Sequence, residues 1–106
     1  MADPKISLDQ WNVLVSVVEA GSYAKAAERI HKSQSTLTYS IKKLESLLGV
    51  RVFELKGRKA ALTPTGELLY RRAKTLLENT ARLEQAAGEL ARGWEPEIRI
   101  AVDGEI

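Results

Sequence analysis

At 106 residues the chain can bury one modest hydrophobic core and is too short for two ordinary domains. With 44% hydrophobic and 28% charged residues the composition is globular, and the lack of cysteine excludes disulfides and thiolate zinc sites. No apolar run is as long as a membrane span and no signal-peptide pattern is present, so we expect a cytoplasmic protein without a membrane partner. The net charge is only +2, yet residues 22–59 hold nine lysines and arginines against three acidic residues. Such a basic segment is either an ordinary solvated surface or the charge that phosphate binding requires.

The first predicted helix begins at a capping box. Ser7 precedes Gln10 by three residues, so its hydroxyl can accept from the Gln10 backbone while the Gln10 side chain reaches back. Gly21 is expected to end this helix. Apolar residues recur on one helical face between these limits, and we interpret Trp11 as part of the core rather than as a stacking platform. The face comprises Leu8, Trp11, Leu14, Val15 and Val18.

Two further helices are predicted, and each begins at a serine. Ser22 can cap a short helix rich in alanine, which is followed by a polar turn at His31 and Lys32. Ser33 can cap a third helix, whose apolar positions have helical spacing as far as Gly49. Two helices joined by a short turn have the layout of a helix-turn-helix motif.

The pattern then becomes that of a short β-hairpin. Residues 50–55 are β-prone, residues 56–59 predict a turn, and residues 61–63 can return as a second strand. The tip is basic, with Lys56, Arg58 and Lys59. A helix-turn-helix followed by such a hairpin is a winged helix. The predicted fold class is therefore mainly α, with three helices, a hairpin wing and a long helix after it.

The long helix is predicted over residues 64–92. Thr63 is a good cap, and Pro64 suits the first helical position. At 1.5 Å per residue this helix would reach roughly 40 Å, more than a three-helix core can cover, so part of its apolar stripe must pack elsewhere. The stripe alternates spacings of four and three, as in a coiled coil, and we interpret it as a dimerisation seam. The seam comprises Leu69, Ala73, Leu76, Thr80, Leu83, Ala87 and Leu90.

The remaining residues carry one strand-like pattern, in which Ile98, Ile100 and Val102 alternate with charged or small residues. A lone strand has nothing to pair with, so this segment is either the start of a further domain or a tail. The predicted division is a winged helix-turn-helix over 1–63, a linker helix over 64–92, and this segment over 93–106.

Polar side chains crowd the early turns of the third helix. A helix N-terminus presents free N–H groups to phosphate, and short polar side chains beyond its cap can reach base edges in the major groove. Lys42 and Lys43 follow one turn later, where such a helix would meet the DNA backbone. The hairpin with its basic tip comes next. The expected base contacts are Gln34, Ser35, Thr36, Thr38 and Tyr39.

Three functions are consistent with these features: a sequence-specific regulator, an architectural protein that coats DNA without reading it, and a helical interaction module with an incidental basic face. Polar groups on the recognition face, such as Gln34 and Thr38, argue against the second. We expect no enzyme, no cofactor and no metal, because nothing pairs a nucleophile with a base and His31 has no second ligand nearby.

A series of short motifs stands in order between Leu8 and Leu69: Gly21-Ser22-Tyr23, Ala26-Ala27, Ser33-Gln34, Ile41-Lys42-Lys43-Leu44-Glu45, Leu48-Gly49-Val50, Phe53-Glu54, Gly57-Arg58, and Leu62-Thr63 with Gly66. With these motifs the run resembles the DNA-binding domain of LysR-type transcriptional regulators. Members often carry Pro where Ser35 stands, Arg where Tyr39 stands, and a basic residue where Leu55 stands.

The resemblance implies a role in double-stranded DNA binding for three groups of residues. Gln34, Ser35, Thr38 and Tyr39 would read bases, and Arg58 would contact the minor groove or the backbone. The implied phosphate contacts are Ser22, Tyr23, Ser33, Lys42 and Lys43.

The resemblance also implies a homodimer through the long helix and tetramers of full-length members. It further implies a small-molecule effector bound by a C-terminal domain absent from this chain.

Overall fold

The computed structural model describes residues 3–57 and 59–93. Its fold confirms the predicted class: three helices, a two-stranded hairpin and a long fourth helix. Residues 94–106, including the strand-like pattern, lie outside the described residues. Among residues 3–57 and 59–93, none of the helices combines the length and the hydrophobicity that a membrane span needs. In chain order the elements are α1 (Leu8–Ala20), α2 (Tyr23–Ile30), α3 (Gln34–Leu48), β1 (Phe53–Lys56), β2 (Lys59–Leu62) and α4 (Pro64–Ala91).

All four helices begin at the cap that the sequence predicts. The Ser7 hydroxyl accepts from the Gln10 N–H at 3.1 Å, and Gln10 Oε1 accepts from the Ser7 N–H at 2.9 Å, so the capping box is complete. The other caps use the same bond, in which a hydroxyl accepts from the N–H three residues ahead. They are Ser22, Ser33 and Thr63.

Two of the helices end at the predicted glycines. Gly21 and Gly49 both have positive φ, at 87° and 70°, and their N–H groups bond back to the carbonyls of Val17 and Glu45. This left-handed conformation is the one in which glycine costs least. The helix α2 ends instead at His31, with a φ of 56°, so the turn to α3 uses a left-handed residue that is not glycine.

The core lies between α1, α2 and α3, with Val52 closing it from the loop before the hairpin. Trp11 packs against the edge of this core, which agrees with its interpretation as a packing residue. Leu8 belongs to the predicted apolar face, yet it is 46% exposed, whereas Ile6, just before the helix, is buried in the core. The largest fully buried side chains are Leu14, Leu37, Ile41, Leu44, Val13 and Val52.

The hairpin differs from its prediction in register. The strands pair antiparallel with Phe53 opposite Leu62 and Lys56 opposite Lys59, so both lysines belong to strands and the loop is only two residues long. The predicted turn over 56–59 was therefore too long, and the second strand begins two residues earlier than expected. Gly57, with a φ of 67°, permits this tight connection. Residues 50–52 precede the strand instead of belonging to it.

The helix α4 has 28 residues and ends one residue before the predicted limit. Its first half docks on α1, where Ala73 is buried and Leu69 packs against the core. Further along, the exposed fraction rises to 71% at Leu83 and 55% at Leu90. This confirms the prediction that only part of the apolar stripe packs on the core.

Candidate nucleic-acid interface

The exposed face of α3 is fixed by the face that it buries. Leu37, Ile41 and Leu44 are fully buried, which fixes the orientation of α3 about its axis. Of the predicted base contacts, Thr38 is half-buried and the other four are exposed. The structure thus brings this polar set to the surface of one helix; it comprises Gln34, Ser35, Thr36, Thr38 and Tyr39.

The start of α3 is a cluster of three hydroxyls. Ser33 Oγ accepts from the Thr36 N–H at 3.1 Å and lies 2.7 Å from Thr36 Oγ1 and 3.2 Å from Ser35 Oγ. The Thr36 hydroxyl is therefore part of the cap, whereas no bond of this kind engages Gln34 or Thr38 among the described residues. Ser33 therefore stabilises the first turn of α3.

Basic side chains lie one turn further along α3. Lys42 and Lys43 are both exposed, and Lys43 Nζ lies 5.8 Å from the centre of the Tyr39 ring. A cation over an aromatic face is attracted by the electrons of the ring, so this contact favours one orientation of two exposed side chains. Tyr39 is 66% exposed, which leaves most of the side chain available for a ligand.

The start of α2 packs against the base of the hairpin. Ser22 caps α2, and the half-buried Tyr23 ring meets the Phe53 ring with centroids 6.0 Å apart and planes tilted by 58°. Burial raises the pKa of Tyr23 to about 12, and the negative charge of Glu45 adds to that effect. The phenol therefore stays protonated, with a hydrogen to donate, even in mildly alkaline solution.

A groove of 640 Å³ separates α3 from the hairpin. It brings Thr38, a predicted base contact, together with Tyr23 and Lys42, which are predicted phosphate contacts. Arg51 and Leu55 also line it, and neither was predicted as a site residue. Leu55 is 76% exposed, so the position where a basic residue is common presents an apolar side chain here.

Glu45 holds the hairpin beside α3, a role that the sequence analysis did not predict. Its Oε2 accepts from the Val52 N–H at 2.7 Å and from the Phe53 N–H at 3.2 Å, which fastens the base of the hairpin to α3. The partners are seven and eight residues away and are backbone groups, so no side-chain pattern pointed to them. The carboxylate positions the hairpin; no acid or base role follows from this geometry.

The hairpin ends in two lysines directly opposite each other. Lys56 and Lys59 form the last pair of the ladder, and both are exposed. Like charges facing each other across strands destabilise a hairpin, and a polyanion would remove that repulsion. Arg58, the third predicted basic residue of the tip, lies outside the described residues. Elsewhere in the described ranges no group of three potential metal ligands occurs.

Residues 8–67 match the family model of the bacterial regulatory helix-turn-helix proteins of the lysR family. The chain is 35% identical over 96 residues to the uncharacterized HTH-type transcriptional regulator YeeY of Escherichia coli K12, covering 91% of this chain and 31% of that protein. It is 34% identical over 98 residues to the probable regulator YhaJ of the same strain, covering 92% and 33%. The chain thus spans about a third of the length of these curated relatives.

Solved structures show the same fold. The chain in the crystal structure of a BenM_DBD/catB site 1 DNA complex superposes with a TM-score of 0.82 at 30% identity, covering 87% of this chain and 99% of that one. The chain in a CbnR_DBD-DNA complex superposes with a TM-score of 0.74 at 32% identity, covering 81% and 99%. Both of those structures contain DNA.

Proposed function

Because the chain belongs to the lysR family of bacterial regulatory helix-turn-helix proteins, we propose that it is the DNA-binding part of a transcriptional regulator and reads a partly palindromic operator as a dimer. One observation carries this proposal. The polar face of α3 is held outward by a fully buried opposite face, directly beside a hairpin with a basic tip. The solved BenM_DBD and CbnR_DBD chains, which share the fold, are in complex with DNA.

In this proposal α3 enters the major groove and the hairpin acts as the wing. Gln34 suits adenine because an amide can bond both N6 and N7, and Thr38 and Tyr39 can contact a base or a thymine methyl. Ser35 and Thr36 complete the base-reading set. The DNA backbone would be contacted by Ser22, Tyr23, Ser33, Lys42 and Lys43, and the wing would add Lys56, Arg58 and Lys59.

The second copy would dock along α4. The part of the helix beyond Leu76 carries exposed apolar side chains at the predicted heptad spacing, with Leu83 and Leu90 more than half exposed. Two recognition helices related by a two-fold axis read two half-sites about one helical turn apart, or multiples of it. The proposed units are a winged helix-turn-helix over 1–63, a linker helix over 64–92, and over 93–106 the start of the next domain or a tail.

The whole regulator would be cytoplasmic and would not be an enzyme. Control of the whole regulator by a small molecule, which the family resemblance implies, would reside in a C-terminal domain. Tetramers of the whole regulator would need surfaces beyond the linker helix.

The test is a comparison of affinities by fluorescence anisotropy at two salt concentrations. One duplex is the promoter region next to the chain's own gene, and the other is a scrambled duplex of equal length. A sequence reader keeps its preference at the higher salt, because base contacts release no counterions. Equal affinities at both concentrations, with a steep salt dependence, would contradict the proposal and favour an architectural protein that coats DNA.

A further inference from the structure

Residues 51–53, which we call the junction segment, lie where α3, the wing and α4 meet. Val52 is fully buried at its centre. On one side the segment is fastened to α3, since Glu45 Oε2 accepts from the N–H groups of Val52 and Phe53. The junction segment is therefore attached to α3, which is the recognition helix in the proposed function.

The other side of the junction segment is fastened to α4. The Thr63 N–H donates to the Val52 carbonyl at 2.9 Å, and the Thr63 hydroxyl donates to the Arg51 carbonyl at 2.6 Å. The same hydroxyl accepts from the Gly66 N–H at 2.9 Å, so it also caps α4. One oxygen atom thus joins the first turn of α4 to the segment that holds the recognition helix.

Gly66 makes this contact close. It is buried, and a Cβ added to it would overlap the Val52 carbonyl oxygen. The backbone of α4 therefore rests directly on the backbone of the junction segment, with no flexible side chain between them. Gly66 is not among the glycines with positive φ, so glycine is needed here for the close approach and not for a left-handed backbone.

The length of α4 magnifies any change at its start. The helix has 28 residues, so it extends roughly 40 Å at 1.5 Å per residue. A rotation of about 10° at its first turn would move its far end by about 7 Å over that length. Two base pairs span about the same distance, since a helical turn of roughly 34 Å holds about ten of them. In the proposed dimer, a small change in the direction of α4 would therefore move the second recognition helix by about two base pairs.

We infer that Thr63 is a positioning residue: through its bond to the Arg51 carbonyl it fixes the direction of α4 relative to the recognition helix, and so the separation of half-sites that a dimer accepts. This inference rests on the proposed function. Neither the family match nor any expected DNA contact assigns Thr63 such a role. The residue touches no base, and it acts through the junction segment.

The two roles of the Thr63 hydroxyl can be separated by substitution. Thr63→Asp keeps an oxygen that caps α4 but has no hydrogen to donate to the Arg51 carbonyl. Thr63→Ser keeps both roles and is the conservative control. Thr75→Asp adds the same charge at an exposed position of the same helix and controls for charge alone.

The probes are DNA duplexes. The wild-type chain selects its preferred site from a random-sequence library, and that site is then made with the half-sites one or two base pairs closer or further apart. A duplex carrying a single half-site is the internal control. The quantity measured for each variant is the ratio of affinities for the selected spacing and for the altered spacings, which cancels any uniform loss of binding.

For Thr63→Asp we expect the ratio to fall at least threefold, while single half-site affinity stays within twofold of that of Thr75→Asp. Thr63→Ser should keep the wild-type ratio. The inference is overturned if Thr63→Asp keeps the wild-type ratio, or if it loses only half-site affinity. Should Thr63→Asp fail to fold by circular dichroism, Gly66→Ala tests the same junction by pushing α4 off the Val52 carbonyl, and an unchanged ratio there is equally contrary. If the wild-type chain selects no site or tolerates every spacing, the proposed dimeric reader itself fails.

Discussion

Replacing the partly buried Glu45 by alanine should destabilise the fold more than replacing an exposed carboxylate such as Glu28. Glu45 accepts from two backbone N–H groups, at 2.7 Å and 3.2 Å, in a partly buried position. Alanine would leave both donors without that acceptor, next to the fully buried Val52. Glutamine would keep a neutral acceptor oxygen in nearly the same place.

The magnitude follows from the two hydrogen bonds. A bond to a charged group contributes about 1.5–3 kcal/mol, the longer bond contributes less, and water can reach a partly buried site and replace some of the loss. We therefore expect Glu45→Ala to lower the free energy of unfolding by about 2–3 kcal/mol, and Glu45→Gln by about 1 kcal/mol. For a domain of this size the alanine variant should melt roughly 10–20 °C lower.

The assay is thermal and urea unfolding followed by circular dichroism at one fixed protein concentration, because dimerisation would make stability depend on concentration. Glu28→Ala, at an exposed position of α2, is the matched control and should stay within about 0.5 kcal/mol of wild type. The charge of Glu45 contributes to the raised pKa of Tyr23, so Glu45→Gln should also lower that pKa in a spectroscopic titration. If Glu45→Ala melts with Glu28→Ala, water replaces the carboxylate without cost and the reasoning fails.

Four further predictions concern the interface, the dimer and alkaline stability. Lys42→Ala should weaken binding to every duplex and reduce the slope of log affinity against log salt by about one, and an unchanged slope would exclude a phosphate contact. Gln34→Ala should instead reduce discrimination at particular base pairs by about 1–3 kcal/mol, as measured on singly substituted duplexes; a uniform loss would contradict base reading. Leu83→Lys should shift sedimentation toward monomer and weaken binding to a duplex with two half-sites, whereas unchanged sedimentation would place the dimer contact elsewhere. The pKa of Tyr23 is raised from 10.0 to about 12, so the stability that its neutral phenol contributes is complete below pH 10 and is lost as the pH rises toward 12. Unfolding measured across this pH range should show that Tyr23→Phe loses about 1 kcal/mol less stability than the wild-type chain, after allowance for the partial exposure of the phenol.

The helix boundaries could be predicted because their causes are local. A capping serine and its partner lie three residues apart, and Gly21 and Gly49 end their helices through their own backbone conformation. The hairpin was harder, because strand pairing depends on the loop. Lys56 and Lys59 looked like turn residues, yet Gly57 allowed a connection short enough to place both of them in strands.

The exposed polar face of α3 could be predicted because it depends on one element, whereas the contacts of Glu45 and Thr63 depend on several elements. The polar side chains of α3 were evident from the spacing of its apolar face. Glu45 and Thr63 were not evident as positioning residues, because their partners are backbone groups seven to twelve residues away. Backbone groups are the same in every sequence, so a bond from a side chain to a distant carbonyl or N–H leaves no pattern of residue types.

Because part of α4 is exposed, the direction that the junction segment gives to α4 affects the half-site spacing. A helical segment without tertiary packing is marginally stable in water, and most helical stability in proteins comes from burying an apolar face. Ala73 buries its side chain on the core, but Leu83, ten residues later, is 71% exposed.

If Leu83 contacts its counterpart in a second copy, the far end of α4 becomes fixed as well. The helix is then held at both ends and connects the two recognition helices. A change in the direction of α4 at one end would then displace the recognition helix at the other end. The Thr63 bond at the start of α4 and the Leu83 contact at its far end should therefore both be needed to select a half-site spacing. Weakening either one should broaden the range of operators that the dimer accepts before it abolishes binding to a single half-site.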